Sequence, residues 1–396
     1  MPERPLARLL FLISDLGTGG TARATLHVVN GLAAAGVEVS LMVMRGGGVL
    51  TELLDQRVRL VVARAHRERG VGLLLAVPEL VGLIRSWRPT MVISSGNHMH
   101  LVATMAQTIA RVPSCALALK MTNPVERPNK GRPANAVRRT WYGWAFGRAD
   151  KILVIADATR KELVKQYPRI EPKLRVVDNP YITPAMIDAG RNAEDFEAGR
   201  LLAIGRLVPQ KDYPLLLRAL AHIRELDWTL DILGDGPLLK ALERQAATLE
   251  ISDRIRFRGF VTDPVPYLRK AHALVLSSAW EGQGAVLLEA LACACPVIAT
   301  CSTDAVSGVL GNGLYGRLIP AGDVEALAAA IALELRRRSV LPPSTPAWVG
   351  RYRIDAGVRS HAEALGVELT DQSTGEASHD RPVRETGPRD VISAHG

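Results

Sequence analysis

Cysteine is scarce. Cys115, Cys293, Cys295 and Cys301 are the four in 396 residues, which is no disulfide framework for a chain of this size. Long apolar runs are missing too. The longest candidate, Val71 to Ile84, is broken by Pro78 and Glu79, so nothing approaches the roughly 18–20 apolar residues of a membrane span. Leu9 to Ser14 is apolar but closed by Asp15, and reads as a first strand rather than a secretory signal. No internal repeat of solenoid period is present. These absences describe a reduced, cytosolic, soluble chain. The 47% hydrophobic and 22% charged residues suit a globular enzyme and exclude a disordered or fibrous one. At roughly 150 residues per domain, a chain of 396 should fold as two.

Charge is unevenly placed. The formal net charge is +9, yet residues 111–176 alone hold fifteen Lys and Arg against five acids. Within that window, residues 138–148 (RRTWYGWAFGR) interleave cations with aromatics. Such a stretch suits an anionic membrane surface, with rings at the headgroup level. It equally suits one helix with an aromatic core face and solvated arginines. No nucleic-acid motif accompanies it, so a nucleic-acid partner is not expected.

Short β-branched apolar runs alternate with helical patterns along most of the chain. Strands are expected at 8–14, 37–44, 58–62, 90–95, 114–120 and 151–156, with helices at 21–35, 73–87, 100–110 and 157–166 between them. A second series begins near Leu201, with strands at 201–205, 228–233, 254–257, 273–277 and 296–299 and intervening helices near 213–225, 237–250, 284–294 and 324–336. This alternation predicts an α/β protein of two doubly wound, mainly parallel sheets. Residues 1–180 form the first unit, 181–199 a linker containing Pro184, and 200–365 the second; residues 366–396 read as a disordered polar tail. Two such units place their strand carboxyl ends toward a shared cleft, where ligands of these sheets bind.

The strongest local signal is ALVLSSAWEGQGAVLLEALACACPVIAT at 273–300. A buried strand ends at two serines, a loop carries Glu281-Gly282-Gln283-Gly284, and a helix beginning near Ala285 and Val286 carries Glu289. Glycines there let the backbone approach a ligand closely, and a helix start offers free N–H groups to phosphate. Glu289 could accept hydrogen bonds from vicinal hydroxyls, although a helix cap with a solvated glutamate has the same pattern. Arg206 and Lys211 lie on the turn after the second unit's first strand, where the helix macrodipole disfavours cations. They are suited to a diphosphate, Arg as a fork and Lys as a point charge. A glycine-rich turn containing Gly19 and Gly20 follows the chain's first strand.

These pieces resemble the retaining nucleotide-sugar glycosyltransferases of family 4, which have the GT-B architecture of two Rossmann-like domains facing a cleft. The matching stretches are GTGGTAR at 17–23, ADKILVIADATRKEL at 149–163, Asn179-Pro180, GRLVPQKDYPLLLRAL at 205–220, LDILGDGP at 230–237, residues 254–300, and GLYGRLIPAGDVEALAAAI at 313–331. The resemblance implies that Arg206 and Lys211 hold the donor diphosphate. It gives the donor sugar and phosphates to Glu281 and the backbone of Gly282, Gln283, Gly284, Ala285 and Val286, and the ribose to Glu289. Gly19 and Gly20 would face the diphosphate from the other domain, and the Gly259–Val261 turn would border the base. His98 matches a histidine after the fourth strand. Lys120 stands where the family has a histidine or arginine near the reacting sugar. The chain departs from the family at Gln283 (usually Phe) and at Ala294-Cys295 (usually Gly-Thr). Asp304 and Ser307 occupy the short segment after Thr300, which in the family holds more glycine and a glutamate.

The implied reaction moves a hexosyl or N-acetylhexosaminyl unit from a nucleotide diphosphate sugar, uridine being the commonest base. The acceptor is a hydroxyl of a saccharide or lipid-linked molecule, as in cell-surface polysaccharide synthesis. The protein would be cytoplasmic, with a peripheral place on the inner face of the cell membrane as an option. No Asp-x-Asp triplet occurs, so neither a metal nor another cofactor is expected. A nucleotide-sugar epimerase of the same architecture and a non-catalytic nucleotide-sugar-binding protein are the alternatives.

Overall fold

The computed structural model describes residues 7–17, 19–64, 70–126, 131–191 and 196–369. Seven strands build the first sheet: β1 (Arg8–Ile13), β2 (Glu38–Val43), β3 (Arg59–Val62), β4 (Met91–Ser94), β5 (Ala116–Met121), β6 (Lys151–Val154) and β7 (Leu174–Val176). Their order is β3-β2-β1-β4-β5-β6-β7. The second sheet has β8 (Arg200–Ile204), β9 (Thr229–Leu233), β10 (Ile255–Gly259), β11 (Ala273–Leu276), β12 (Val297–Cys301) and β13 (Arg317–Pro320). Its order is β10-β9-β8-β11-β12-β13. All strand pairs run parallel. Central strands such as β4 and β11 are buried along their whole length, as sheets covered by helices on both faces require. Each sheet reverses its winding once, between β1 and β4 and between β8 and β11, and crevices at such switch points receive ligands.

The two Rossmann-like units of the sequence reading are present, with differences at the edges. Strands β7 and β13 were not expected. Both are short, and β7 exposes two of its three residues, so neither carries the apolar run that marks a central strand. The linker contains a helix, Pro184–Arg191, whose buried Met186 and Ala189 pack on the second sheet's core. Two buried residues are too few to show a helical period.

The larger difference concerns the last helix. Ile354–Leu365, assigned from sequence to the second unit, packs on the first unit's helix Gly20–Ala34. Its Val358, Ala362, Ala364 and Leu365 join the core over β1, β2 and β5, and Gly31 leaves the room that Val358 fills. The chain crosses back beside the linker, where the amides of Tyr181 and Ile182 both donate to Tyr352 O (2.9 and 3.0 Å). Most of the expected tail, 370–396, lies outside the described residues, as do 192–195 of the linker and Thr18 of the glycine turn.

Candidate active site

The loops after β1, β5 and β6 meet the loop after β11 and the helix that follows it. The turn after β8 is locked to the loop after β11 by its backbone. Ala279 N donates to Gln210 O (2.9 Å), Gln210 Nε2 to Trp280 O (3.0 Å) and Ser277 Oγ to Lys211 O (2.9 Å). On this frame Lys211 Nζ meets Glu281 Oε1 at 2.6 Å, and Ser278 Oγ donates to the same oxygen at 2.7 Å. The lysine stem crosses Gly205, where a Cβ would come within 2.6 Å of Lys211 Cε, so glycine is required for that approach. Arg206 is exposed beside it, and its side chain makes no hydrogen bond or ion pair among the described residues.

Two helix N-termini converge on the same place. The helices Gly20–Ala34 and Ala285–Ala292 are capped by Gly19 and Gly284, neither has a side-chain cap, and neither carries an acid in its first turn. Gly284 adopts φ +76°, which lets the chain turn into the helix without a Cβ penalty. A Cβ on Gly20 would lie 3.9 Å from that of Ala285. The positive ends of two dipoles with uncapped amides, and the cations Arg206 and Lys211 on the turn after β8, are the groups that suit an anion with more than one charge.

Glu289 lies one helical turn into the second of these helices and is buried. Burial pushes its carboxyl above the ordinary range, opposed by Arg23 and more weakly by Lys211. Arg23 Nη1 reaches Glu289 Oε1 across the cleft at 3.2 Å. The sequence reading quoted Arg23 inside its glycine-turn motif without a role. The signal was there, because it is a cation in the first turn of a helix, the same anomaly that marked Arg206 and Lys211.

Other expected residues are placed differently from one another. Gly282 lies against Thr122 in the loop after β5, so closely that a Cβ would overlap the Thr122 carbonyl. Gln283 is buried and its Nε2 donates to Ile155 O at 2.8 Å, so this departure from the family's Phe joins the two domains. His98 is exposed in the turn after β4. Val261 is half-buried after β10, two strands from the switch point. Lys120 is buried on the β5 face that lies beneath the helix Ile354–Leu365, and burial lowers its ammonium to about 7. Its charge, second to burial, helps hold His361 of that helix well below the ordinary histidine value. Among the described residues it makes no hydrogen bond or ion pair with Lys211, Glu281 or Glu289.

The comparisons agree with this geometry. Residues 19–180 match the "Glycosyl transferase 4-like domain" family and residues 198–336 match "Glycosyl transferases group 1". One relative is the N-acetylgalactosamine-N,N'-diacetylbacillosaminyl-diphospho-undecaprenol 4-alpha-N-acetylgalactosaminyltransferase of Campylobacter jejuni, 24% identical, with the alignment covering 79% of this chain and 86% of that one. The lipopolysaccharide core biosynthesis glycosyltransferase LpsE of Rhizobium meliloti is 25% identical over 79% of this chain and 84% of its own. Among solved structures, Anabaena HepE in complex with UDP and glucose superposes with a TM-score of 0.74 at 19% identity. The superposition covers 91% of this chain and 99% of that one, and shows the shared fold. The chain belongs to the glycosyltransferases of the two-domain GT-B class. Both named relatives are transferases, which does not favour an epimerase or a non-catalytic binding protein.

Proposed function

We propose that this protein transfers a hexosyl or N-acetylhexosaminyl unit, with retention, from a uridine diphosphate sugar to a hydroxyl of a saccharide or lipid-linked acceptor. The observation that carries the reading is the Lys211–Glu281 pair set against two uncapped helix N-termini at facing switch points. The bond from the anomeric carbon to the phosphate oxygen breaks while the bond to the acceptor oxygen forms on the same face. The acceptor's proton passes to the departing diphosphate. Charge growing on that leaving group is met by Arg206, Lys211 and the helix amides, which are preorganised and need no rearrangement at the moment of reaction. Glu281, already fixed by Lys211 and Ser278, receives hydroxyls of the donor sugar. Glu289 receives the ribose hydroxyls, with Arg23 opposing the rise that burial imposes on its carboxyl. Val261 borders the base, and His98 lines the acceptor side.

The acceptor is presented at an anionic membrane. The helix Arg132–Arg148 buries Tyr142, Ala145 and Phe146 but leaves Val137 and Trp144 67% and 39% exposed. Arg132, Arg139 and Arg148 are exposed on the same helix, and Arg148 stacks on Trp144 at 5.8 Å. An exposed ring among cations suits an anionic interface. Among the described residues no helix is long and apolar enough to cross a membrane, so attachment would be peripheral. The Campylobacter relative's name places its acceptor on diphospho-undecaprenol, a precedent for the lipid-linked class.

Thermal shift with nucleoside diphosphates and their sugar conjugates tests the donor reading. A ligand specific to the folded state adds about 2.7 kcal/mol at a hundred times its dissociation constant. Uridine nucleotides should raise the midpoint of the wild type and not that of Lys211→Ala. No shift with any nucleotide at millimolar concentration would sink the reading. Flotation with phosphatidylglycerol vesicles tests the membrane, and equal recovery with neutral vesicles would remove it.

A further inference from the structure

Asn97, in the turn after β4, is 4% exposed. Its Oδ1 accepts from Thr122 N (2.9 Å), Thr122 Oγ1 (3.0 Å) and Asn123 N (3.2 Å). Its Nδ2 donates to Asn123 O (2.8 Å) and to the Tyr142 hydroxyl (3.0 Å). A primary amide offers acceptor and donors together without charge, so one buried side chain fixes Thr122 and Asn123, the first two residues of the loop leaving β5. In a low-dielectric interior such a fully used network is rigid, and truncating its centre leaves several groups unpaired.

What that loop does is visible across the cleft. The Thr122 carbonyl seats on Gly282, and the Ile155 carbonyl, from the end of the adjacent strand β6, accepts from Gln283. Consecutive residues of the Glu281–Gly284 loop are thus met by the ends of neighbouring strands of the other domain. Gly282 has no positive φ, so its own backbone does not call for glycine. The demand comes from the facing carbonyl, and only when the domains are together.

We propose that Asn97 is a positioning residue for sugar transfer. By holding Thr122 and Asn123, it sets the register in which the first domain closes on the loop that carries Glu281. The inference rests on reading that loop as the donor-sugar site. It predicts that Asn97, whose side-chain bonds all stay within the first domain, governs the second domain's loop, and that Gly282 governs the first domain's.

Hydrogen exchange on the nucleotide-free wild type, Asn97→Ala, Gly282→Ala and the double variant tests it. Asn97→Ala should speed exchange in peptides spanning 277–289 several-fold. Gly282→Ala should do the same for 116–126, and the double variant should exceed neither single one. Asn97→Asp, which keeps an oxygen for the Thr122 and Asn123 amides, should fall between. Exchange raised only within 94–126 by Asn97→Ala, or strictly additive effects, would overturn the proposal and leave Asn97 a structural residue. Should Asn97→Ala not fold, Gly282→Ala decides alone, and wild-type exchange at 116–126 overturns the contact. A parallel UDP titration of Asn97→Ala should give a dissociation constant within about threefold of wild type, because its bonds run to Thr122, Asn123 and Tyr142 and to none of the residues assigned to the nucleotide. Failure of the wild type to bind UDP would remove the donor reading. The exchange comparison, made without nucleotide, would still decide the role of Asn97.

Discussion

The Lys211–Glu281 pair can be made to separate its structural role from its role in binding. The two side chains are 17% and 9% exposed and meet at 2.6 Å. Lys211→Met removes the cation and leaves Ser278 as the remaining side-chain partner of the Glu281 carboxylate among the described residues. Breaking a fully buried pair costs about 3–5 kcal/mol. Lys211 reaches solvent, so roughly 2 kcal/mol is the expected loss here. For a unit of this size that lowers the midpoint by about 4–8 °C. Adding Glu281→Gln removes the orphaned charge and should restore most of that loss. Binding should behave oppositely. A charge-assisted contact to a phosphate contributes about 1.5–3 kcal/mol, so Lys211→Met should weaken UDP by roughly 10–150-fold, and the double variant should stay as weak. Calorimetric titration beside a thermal melt reads both quantities. UDP affinity that recovers with stability in the double variant, or that never falls, would refute the assignment of Lys211 to the diphosphate.

Further outcomes follow from the same geometry. The Lys120 ammonium is lowered by burial to about 7 from an ordinary 10.5, so the unfolded chain binds more protons between those values. Stability should therefore rise with pH above about 7 and fall as pH drops through it. Melts of Lys120→Met should lack that slope, and a wild type flat from pH 7 to 9 would contradict the burial. Arg23→Ala leaves the Glu289 carboxyl, already raised by burial, without its cross-cleft partner. Affinity for UDP should then fall at high pH less than at neutral pH, as Glu289 ionises; an unchanged pH profile would deny the coupling. Gly205→Ala should displace the Lys211 stem, which passes within 2.6 Å of the added Cβ. Weaker UDP binding and a lower melting midpoint are expected together, since the added Cβ also strains a backbone at φ +152°; full affinity would show that the lysine has another path.

Much of the architecture was legible from local pattern. Alternating buried strands and amphipathic helices on both sides of residues 178–199 specify two parallel sheets, because a strand covered on both faces must be apolar throughout. Cations at helix starts, glycines without Cβ and a glutamate eight residues after another were readable as donor-site chemistry for the same kind of reason. Each violates a local preference that an ordinary helix or turn would respect. What local pattern could not supply was who meets whom. The helix Ile354–Leu365 is amphipathic, but which domain it covers depends on a crossing at Tyr352 and on the hole left by Gly31. Gln283 looked like a weakened motif, and tertiary structure made it a bond to Ile155. Lys120 looked like a cation for the cleft; strand alternation turned it beneath a helix, where burial, not sequence, sets its charge. Asn97 carried no sequence signal at all, since its importance lies in the loop 25 residues away that folding brings to it. Periodicity and propensity are properties of neighbours in the chain, whereas Asn97–Thr122 exists only once β4 and β5 have paired, and Arg23–Glu289 and Thr122–Gly282 only once two sheets have closed on each other.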